Sequence, residues 1–331
     1  MRFAVAGLGS MGKRRVRDLL AAGHEVIGHD LREDRRDEAV ERFGIEVSED
    51  AAGALDADAV VISTPPDQHV PWYERCLAAG LPFFSEASVL TPRPEWFAER
   101  ATGTHQGQAS ATWRFHPLVA RLHDSVDASA IRSLHHHYAG WLPGWHPWEP
   151  YWEFYAGSRR STCAAREMVP FEAEWLVWIL GPVLAVSCRH GRRHSWRTDN
   201  DDFYELQLEF AGGTSGTLVI ELDQPSTTRV ARLAAGDDVW LVDFEATMLE
   251  RAGEDRRESV FAPADFDFES VYRDEITAFA EAIAGGSEFP KTWAEDRHQS
   301  DVLRAAELSH TRRAWVDVAE AAAGYDGIAL D

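Results

Sequence analysis

The feature that most constrains the fold of this chain is a glycine pattern near its N-terminus. Residues 2–7 (RFAVAG) have the apolar character of a buried strand, and a helical pattern, KRRVRDLLAAG, follows. Gly7, Gly9 and Gly12 lie between the two as G-x-G-x-x-G, the context in which this motif holds a dinucleotide. The first glycine permits a tight turn, the second admits a pyrophosphate close to the backbone, and the third lets helix and strand pack closely.

The start of this helix is a predicted anion site. The unpaired backbone N–H groups of its first turn, around Ser10 and Met11, would point at the phosphates of a dinucleotide. Lys13 and Arg14 also lie in the first turn, where cations oppose the helix dipole. A bound phosphate would explain that placement.

An acidic residue follows the second predicted strand, HEVIGHDL. Asp30 lies at about the 20-residue spacing expected of an acid that binds the adenosine ribose. Its carboxylate would accept hydrogen bonds from the ribose diol and repel a 2′-phosphate, which favours NAD over NADP. Arg32 is also a candidate cofactor residue, and it weakens this preference because arginine can bind a 2′-phosphate.

The alternation of strands and helices continues along the first hundred residues. A strand ends at Thr64 and Pro65, a helix is expected over 67–79, and LPFFSE is another strand that ends at Glu86. Short links between such elements predict a doubly wound parallel sheet, whose ligands bind beyond the carboxyl ends of the strands. Thr64, Pro65, His69 and Glu86 are therefore predicted at the cofactor edge. The alternative for His69 is a first-turn position on a surface helix.

The composition excludes several classes of partner. With 33 basic and 55 acidic residues the chain of 331 residues carries a net charge of −22, which would repel nucleic acid and an anionic membrane. No segment approaches the roughly 18 apolar residues of a membrane span. The N-terminus does not have the pattern of a signal peptide, and three scattered cysteines are too few for a disulfide framework. We therefore expect a cytoplasmic protein without a nucleic-acid or membrane partner.

Three early segments, GLGSMGKRRVRDL, STPPDQHVPWYERCLAAG and FFSEAS, together resemble the Gfo/Idh/MocA family, named for glucose–fructose oxidoreductase and inositol dehydrogenase. The resemblance extends over essentially the whole chain. WRFHP (113–117) is similar to the family's entry to its second domain, and EMVPFEAEWLVWILGPV (167–183) is similar to a helix that ends in Trp-x-x-Gly. The loop WLPGWHPWEPYWEFYAGSR (141–159) resembles a loop of a branch associated with surface-sugar biosynthesis.

The resemblance implies an α/β protein of two domains. We expect an N-terminal Rossmann domain over 1–113 with a doubly wound parallel sheet. A C-terminal α/β domain over 114–331, with a large, mostly antiparallel open sheet, would bind the substrate and form the oligomer. Strand-like runs after residue 183, such as YELQLEF, agree with this, and helices are expected at about 270–284 and 293–322. The last helix could pack back on the first domain. Relatives pair through the second sheet, which implies a homodimer or homotetramer.

Two positions depart from the family pattern. Family dehydrogenases carry Glu-Lys-Pro after the fifth strand, and the lysine helps the reacting hydroxyl lose its proton. They also carry His-x-x-Asp before Trp-x-x-Gly, where the histidine is the usual acid/base. Here Ala87 takes the place of the lysine, Phe171 that of the histidine and Glu174 that of the aspartate. Oxidation of an alcohol still needs a group that takes the hydroxyl proton.

Two acids and one histidine are candidates for this proton transfer. The acids Glu167 and Glu174 share one helix face with Phe171, because the three residues have i, i+4, i+7 spacing. A desolvated Glu167 could act as a base. Glu172, at an adjacent position, could instead face the second domain. His116 precedes a proline, so extended backbone holds it near the domain junction. The catalytic candidates are thus Glu167, His116 and Glu174. The alternatives are a solvated helix face or ion pairs for the acids and a structural role for the histidine.

Residues 141–159 are rich in aromatic side chains with polar tips. Such side chains can stack on the C–H faces of sugar rings while carboxylate, imidazole and guanidinium groups bind the hydroxyls. A contact between subunits is the alternative. His135 and His137 share one face of a predicted strand, but a metal would need a third ligand, and no metal site is predicted. The substrate-binding candidates are Arg114, Trp145, His146, Trp148, Glu149, Tyr151, Arg159 and Arg166.

The leading hypothesis is an NAD(P)-dependent oxidoreductase that acts on a sugar, nucleotide sugar or cyclitol with non-standard acid/base residues. One alternative is an NAD-retaining lyase or epimerase that oxidises its substrate transiently. The other is a non-catalytic protein that binds NAD or a sugar. The chain keeps the glycine loop and Asp30 and changes only the residues of the chemistry, which favours altered chemistry or substrate over plain loss of function.

Overall fold

The computed structural model describes residues 1–100 and 107–328, which form two compact units. The first unit contains Met1–Phe115, Asp267–Arg297 and 327–328, and the second contains His116–Phe266 and His298–Asp326. Each unit is therefore built from separate stretches of the chain.

The regular elements alternate along the first unit and then become mostly strands. The helices are α1 (Ser10–Ala21), α2 (Glu33–Phe43), α3 (His69–Ala79), α4 (Pro94–Arg100), α5 (Pro117–Ser125), α6 (Tyr155–Ser158), α7 (Ala164–Leu180), α8 (Glu269–Ile283), α9 (Trp293–Arg312) and α10 (Val318–Ala323). The strands are β1 (Arg2–Ala6), β2 (Glu25–His29), β3 (Glu46–Ser48), β4 (Ala59–Ile62), β5 (Phe83–Ser85), β6 (Gly107–Ala109), β7 (Ile131–Trp141), β8 (Val183–Gly191), β9 (Phe203–Phe210), β10 (Ser215–Glu221), β11 (Asp223–Ala235), β12 (Asp238–Asp243), β13 (Met248–Ala252), β14 (Arg257–Phe261) and β15 (Val316–Asp317).

The first unit contains a parallel six-stranded sheet in the order β3-β2-β1-β4-β5-β6. The central strand β1 pairs Val5 with Gly28 of β2 and with Val61 of β4. Strands β1 and β4 are buried almost throughout, as their continuous apolar sequence requires in a sheet covered on both faces. Phe279 of α8 belongs to the core on one face, and Tyr73 of α3 belongs to the core on the other. The predicted doubly wound sheet is confirmed.

The second unit contains a nine-stranded sheet in the order β14-β13-β12-β11-β7-β10-β9-β8-β15. Its pairs are antiparallel except for β7 with β10. Buried side chains of α7, including Trp175 and Leu176, lie against one face, which carries Leu134 and His136 of β7. The predicted large, mostly antiparallel sheet is confirmed.

The C-terminal region differs from the helix expected at 293–322. Helix α9 ends at Arg312, and Arg313 adopts a left-handed conformation with φ of 54°. Residues 316 and 317 then pair with Val186 and Ala185 of β8, so this short strand closes the edge of the second sheet before α10 begins. The helical pattern of the sequence continues past Arg312, but hydrogen bonding to β8, a strand far away in the sequence, determines the conformation of residues 316 and 317. Strands β3, β6, β13 and β14 were also missed.

Within residues 1–100 and 107–328, none of the helices combines the length and apolar content that crossing a membrane requires.

The glycine loop leaves no space for side chains at two of its positions. A Cβ atom at Gly12 would lie 1.8 Å from the carbonyl oxygen of Gly7. Gly7 itself has φ of +91°, and a Cβ there would lie 2.5 Å from the carbonyl oxygen of Ser63. Both clashes are with backbone, so β1, α1 and the end of β4 reach this spacing only with glycine.

We expect Gly12→Ala to destabilise the protein by about 2 kcal/mol or more, because backbone rather than a flexible side chain would have to move. Gly324→Ala is the control, since a Cβ at that position meets nothing within 4 Å. Thermal unfolding of both variants measures the difference. Equal midpoints for the two variants would contradict the close approach of α1 to β1.

Candidate functional site

The glycine loop joins β1 to α1 at the carboxyl edge of the first sheet. Gly7 N donates to the carbonyl oxygen of His29 at 2.7 Å, which ties the loop to the end of β2. Helix α1 begins after Gly9, and its N-terminus has neither a side-chain cap nor an acidic residue in its first turn. The first-turn N–H groups thus match the anion-binding arrangement that the sequence predicted.

Asp30 is held against this loop by backbone hydrogen bonds. Its Oδ2 accepts from Leu8 N at 2.8 Å, and its Oδ1 accepts from Arg32 N at 2.9 Å. The Arg32 guanidinium pairs with Asp34. A different arginine, Arg35, brings its Nη1 to 3.5 Å from Asp30 Oδ2. Sequence reasoning missed Arg35, although its place in the first turn of the helix after Asp30 was a usable signal.

The two cations in the first turn of α1 have protein partners. Lys13 Nζ lies 2.8 and 2.9 Å from the carboxylate oxygens of Glu38. Arg14 Nε donates to Glu269 at 2.9 Å, and its Nη1 donates to Ser10 Oγ at 2.6 Å. Their placement therefore has an explanation within the protein, and the bound phosphate that we invoked for it is not needed.

The loop after β4 carries Thr64 and Pro65 beside the glycine loop, and His69 supports it from inside. His69 is fully buried, so the exposed helix position weighed as its alternative is wrong. Its Nε2 donates to the carbonyl oxygen of Thr64 at 2.9 Å, and its Nδ1 lies 3.3 Å from Ser85 Oγ. Burial lowers the pKa of His69, so the ring is neutral. The histidine thus holds the backbone of the Thr64 loop.

Glu86, at the end of β5, is bound on both oxygens by Arg15. The distances are 2.6 Å from Nε to Oε1 and 2.9 Å from Nη2 to Oε2. Arg15 is completely buried and also donates to Glu275 of α8 at 2.6 Å. Burial opposes its charge, but the carboxylates of Glu86 and Glu275 raise the pKa of Arg15 above its usual value. Sequence reasoning missed Arg15, although its neighbour Val16 marks the buried face of α1.

The chain has two lysines, and neither lies at the position next to Glu86, where Ala87 stands. Lys13 pairs with Glu38. Lys291 is buried, and its Nζ donates to Asp296 at 2.6 Å and to the carbonyl oxygen of Ser110 at 2.7 Å. Both lysines are therefore engaged in the first unit.

The acidic residues of α7 have different surroundings in the second unit. Glu172 is fully buried, with Oε2 2.7 Å from His136 Nε2 and Oε1 3.1 Å from Arg229 Nη2. Burial alone would raise its pKa, but the charges of Arg229 and His136 lower the pKa of Glu172. His136 Nδ1 donates to the carbonyl oxygen of Val230 at 3.0 Å. Glu172 therefore serves the core beneath the nine-stranded sheet.

Glu167 and Glu174, the two acidic catalytic candidates, differ in exposure. Glu174 is buried, at 3% exposure, whereas Glu167 and Phe171 are partly exposed. Tyr155 Oη donates to Glu167, 3.1 Å from each carboxylate oxygen. Glu167 also lies in the first turn of α7, where the helix dipole stabilises a negative charge. Of the two candidates, Glu167 is the more exposed.

His116, the third catalytic candidate, is the N-cap residue of α5. Its Nδ1 accepts from Leu118 N at 3.2 Å, and the residue is buried. Burial, together with the charge of Arg229, lowers the pKa of His116 to about 3. The ring is neutral at physiological pH, which favours the structural alternative.

Arg114 and Arg166, two arginines predicted in the substrate site, are held by carboxylates. Arg114 belongs to the first unit, and its Nη2 lies 2.7 Å from Glu295. Arg166 binds Glu307 at 2.6 and 3.0 Å within the second unit. Arg159 is exposed. Arg166 thus pairs with an acid of α9.

The aromatic loop folds into two groups of rings. His146 binds Glu149 at 2.8 Å and stacks on Trp148, which is 64% exposed. Tyr151 Oη accepts from Arg197 N at 2.9 Å, and its ring packs on Trp196. Trp145 is partly buried. Trp196 belongs to a second loop, over residues 192–202, that sequence reasoning missed because RRHSWRTDN has only one aromatic residue.

The open face of the nine-stranded sheet carries a cavity of about 550 Å³. His135 Nδ1 lies 2.9 Å from Thr217 Oγ1, and His137 Nε2 lies 2.9 Å from Glu221 Oε2 on this face. Among the residues that the structure describes, no three histidine, cysteine, aspartate or glutamate side chains are arranged to hold a metal ion.

Comparison with known proteins agrees with this geometry. The family model described as NADP oxidoreductase coenzyme F420-dependent matches residues 2–79. No curated protein matches the chain.

The similar solved structures match the chain over almost its whole length. Levoglucosan dehydrogenase in complex with NADH is 18% identical, with 96% of this chain and 99% of that chain covered and a TM-score of 0.79. UDP-N-acetylglucosamine 3-dehydrogenase from Acidithiobacillus ferrooxidans is 19% identical, with 93% and 97% covered and a TM-score of 0.75. An oxidoreductase from Agrobacterium radiobacter in complex with NAD+, L-tartaric acid and magnesium is 13% identical, with 97% and 99% covered and a TM-score of 0.78. The chain has the fold of the Gfo/Idh/MocA-type sugar dehydrogenases, as the resemblance of its sequence implied.

Proposed function

We propose that this protein is an NAD-dependent oxidoreductase that acts on a sugar, nucleotide sugar or cyclitol. The observation that carries the proposal is the glycine loop, with Asp30 Oδ2 bound to Leu8 N at the carboxyl edge of a parallel sheet. The fold shared with levoglucosan dehydrogenase and UDP-N-acetylglucosamine 3-dehydrogenase supports it.

The residues of the first unit fit a dinucleotide. Gly7 and Gly12 permit the tight turn from β1 into α1, because a Cβ atom at either position would meet backbone, and the N-terminus of α1 has no side-chain cap. We assign the pyrophosphate to Gly9, Ser10 and Met11 and the adenosine ribose to Asp30. When bound, a nicotinamide would supply hydride chemistry. The loops of Thr64, Pro65 and Glu86 lie at the same edge, and His69 and Arg15 hold them in place.

We propose that the pair of Glu167 and Tyr155 removes the proton of the substrate hydroxyl. The Glu167 carboxylate accepts this proton as the alcohol carbon loses hydride, and the Tyr155 hydroxyl stabilises the carboxylate between turnovers. This pair would take over the proton transfer that family dehydrogenases carry out with a lysine and a histidine, at the positions where this chain has Ala87 and Phe171. His116 and Glu174 are left with structural positions.

The second unit is proposed to bind the sugar-like substrate. Its aromatic loop presents Trp148 and the His146–Glu149 pair, which suit a ring with a C–H face and several hydroxyls. We retain the division near residue 113 between cofactor-binding and substrate-binding parts as a proposal.

We further propose a homodimer or homotetramer that forms through the open face of the nine-stranded sheet. Partly exposed apolar side chains on this face, such as Val219, Val230 and Leu241, support the assignment.

We place the protein in the cytoplasm, which its three free cysteines support. We propose a small molecule as its partner, and neither nucleic acid nor a membrane.

Titration of the purified protein with NADH, followed by nicotinamide fluorescence, tests the proposed function. A screen of levoglucosan, inositol and UDP-N-acetylglucosamine for the absorbance change of NAD+ reduction then tests turnover. NADH binding with turnover supports the proposal. NADH binding without turnover favours an NAD-retaining enzyme of another reaction class. Failure to bind NADH overturns the proposal.

We expect Asp30→Ala to weaken NADH binding about tenfold or more, because a charge-assisted hydrogen bond contributes about 1.5–3 kcal/mol. It should also relax discrimination against NADPH, since a negative charge is lost. Asp34→Ala is the matched control, because it removes a nearby exposed acid, which pairs with Arg32. Unchanged NADH affinity in Asp30→Ala would contradict the ribose assignment.

We expect Glu167→Gln to lower kcat about a hundredfold or more, in the range that general base catalysis contributes. Tyr155→Phe should lower it less, because the carboxylate remains. Glu254→Gln, a change at an exposed acid of the second unit outside the aromatic loop, should leave turnover and thermal stability unchanged. Normal turnover in Glu167→Gln would remove this residue from the mechanism.

We expect light scattering to give a mass of two or four subunits and Leu241→Arg to shift it toward the monomer, because a buried unpaired charge would oppose association. Asp199→Arg, a charge change at a side chain that is 96% exposed, should leave the mass unchanged. A monomeric parent protein would contradict the assigned face.

A further inference from the structure

The Arg35 guanidinium lies close to Asp30 and Gly9, at the side of the glycine loop where the adenosine would bind. Its Nη1 is 3.5 Å from Asp30 Oδ2, and a Cβ atom built on Gly9 would also be 3.5 Å from that nitrogen. The guanidinium therefore lies beside the loop where a pyrophosphate would approach and beside the acid that would bind the ribose. Its side chain is 28% exposed, so solvent and ligand reach it.

The neighbouring arginines of the same segment are engaged elsewhere. The Arg32 guanidinium forms two hydrogen bonds with Asp34. Arg36 Nη1 donates to the carbonyl oxygens of Asp30 and Leu31 at 2.8 and 3.1 Å. Arg35 approaches Asp30 at a distance longer than a hydrogen bond, which leaves its donors available for a ligand.

The charge on Asp30 is anchored in place by backbone. Both carboxylate oxygens accept N–H groups, from Leu8 and from Arg32, so the carboxylate cannot turn away from a ligand without losing them. An anchored acid at this position repels a 2′-phosphate. A guanidinium 3.5 Å away offsets that repulsion and offers a planar fork of donors suited to phosphate.

We propose that Arg35 sets the cofactor specificity of this site by binding the 2′-phosphate of NADP(H) beside Asp30, so that the protein binds both NADH and NADPH. The inference rests on the proposed function, because it assumes that the glycine loop holds a nicotinamide dinucleotide. It assigns to Arg35 the role that the sequence suggested for Arg32. Asp30 then serves the ribose diol of NADH, and Arg35 serves the additional phosphate of NADPH.

Dissociation constants for NADH and NADPH, measured by nicotinamide fluorescence on the full chain, test the proposal. The variants are Arg35→Ala, Arg35→Lys and, as the matched control, Arg42→Ala. Arg42 lies near the end of the same helix and forms an exposed i, i+4 pair with Glu38. Thermal unfolding of each variant confirms that it is folded.

The parent protein should bind both dinucleotides. Arg35→Ala should weaken NADPH binding about tenfold or more, since hydrogen bonds between charged groups are lost, and change NADH binding by less than about threefold. Arg35→Lys should recover part of the NADPH affinity, because lysine keeps the charge but not the fork. Added salt should weaken NADPH binding more than NADH binding in the parent protein, and this difference should shrink in Arg35→Ala.

Two results would overturn the proposal while leaving the proposed function intact. One is a parent protein that binds NADH but not NADPH. The other is an equal loss of NADH and NADPH affinity in Arg35→Ala, which would make Arg35 a general support of the loop. If neither dinucleotide binds, the proposed function fails and this inference fails with it.

Discussion

The buried guanidinium of Arg15 is the interaction on which the rest of the cofactor site depends. It binds Glu86 at the end of β5 and Glu275 of α8, and Glu275 also accepts from Ser110 Oγ and Ala111 N at 2.8 and 2.7 Å. Removing one partner of such a buried pair costs about 3–5 kcal/mol, because the other charge stays buried. The network therefore fixes α1, whose first turn is the proposed anion site, against two strands and a second helix.

Buried ion pairs also determine which charged side chains of the second unit are accessible. Glu172 pairs with His136 and Arg229 in the core, and Arg166 pairs with Glu307. The Glu167 carboxylate accepts from the Tyr155 hydroxyl and is more exposed than that of Glu174, the other acid among the catalytic candidates.

Sequence reasoning succeeded where a local pattern has one physical meaning. Three glycines between a strand and a helix, followed by Asp30, led correctly to the parallel sheet and its loop. It failed where a contact with a residue far away in the sequence determines the local structure. The helical period of 293–322 did not reveal that residues 316 and 317 pair with β8, and the first-turn position of Lys13 did not reveal Glu38. Charged side chains are long enough to choose among several partners, and their spacing does not select one.

The sequence by itself determined the class of fold, the position of the glycine loop and the replacement of the lysine and histidine that the resemblance led us to expect, because each depends on which residue stands at one point of a short motif. Only the tertiary structure decided which charged side chains pair within the protein and which side chains are buried. The guanidinium of Arg35 lies beside the carboxylate of Asp30 while that of Arg32 pairs with Asp34, His69 is buried, and Glu167 is more exposed than Glu174. The physical reason is that burial and ion pairing arise from contacts between segments far apart in the chain, which no local pattern encodes.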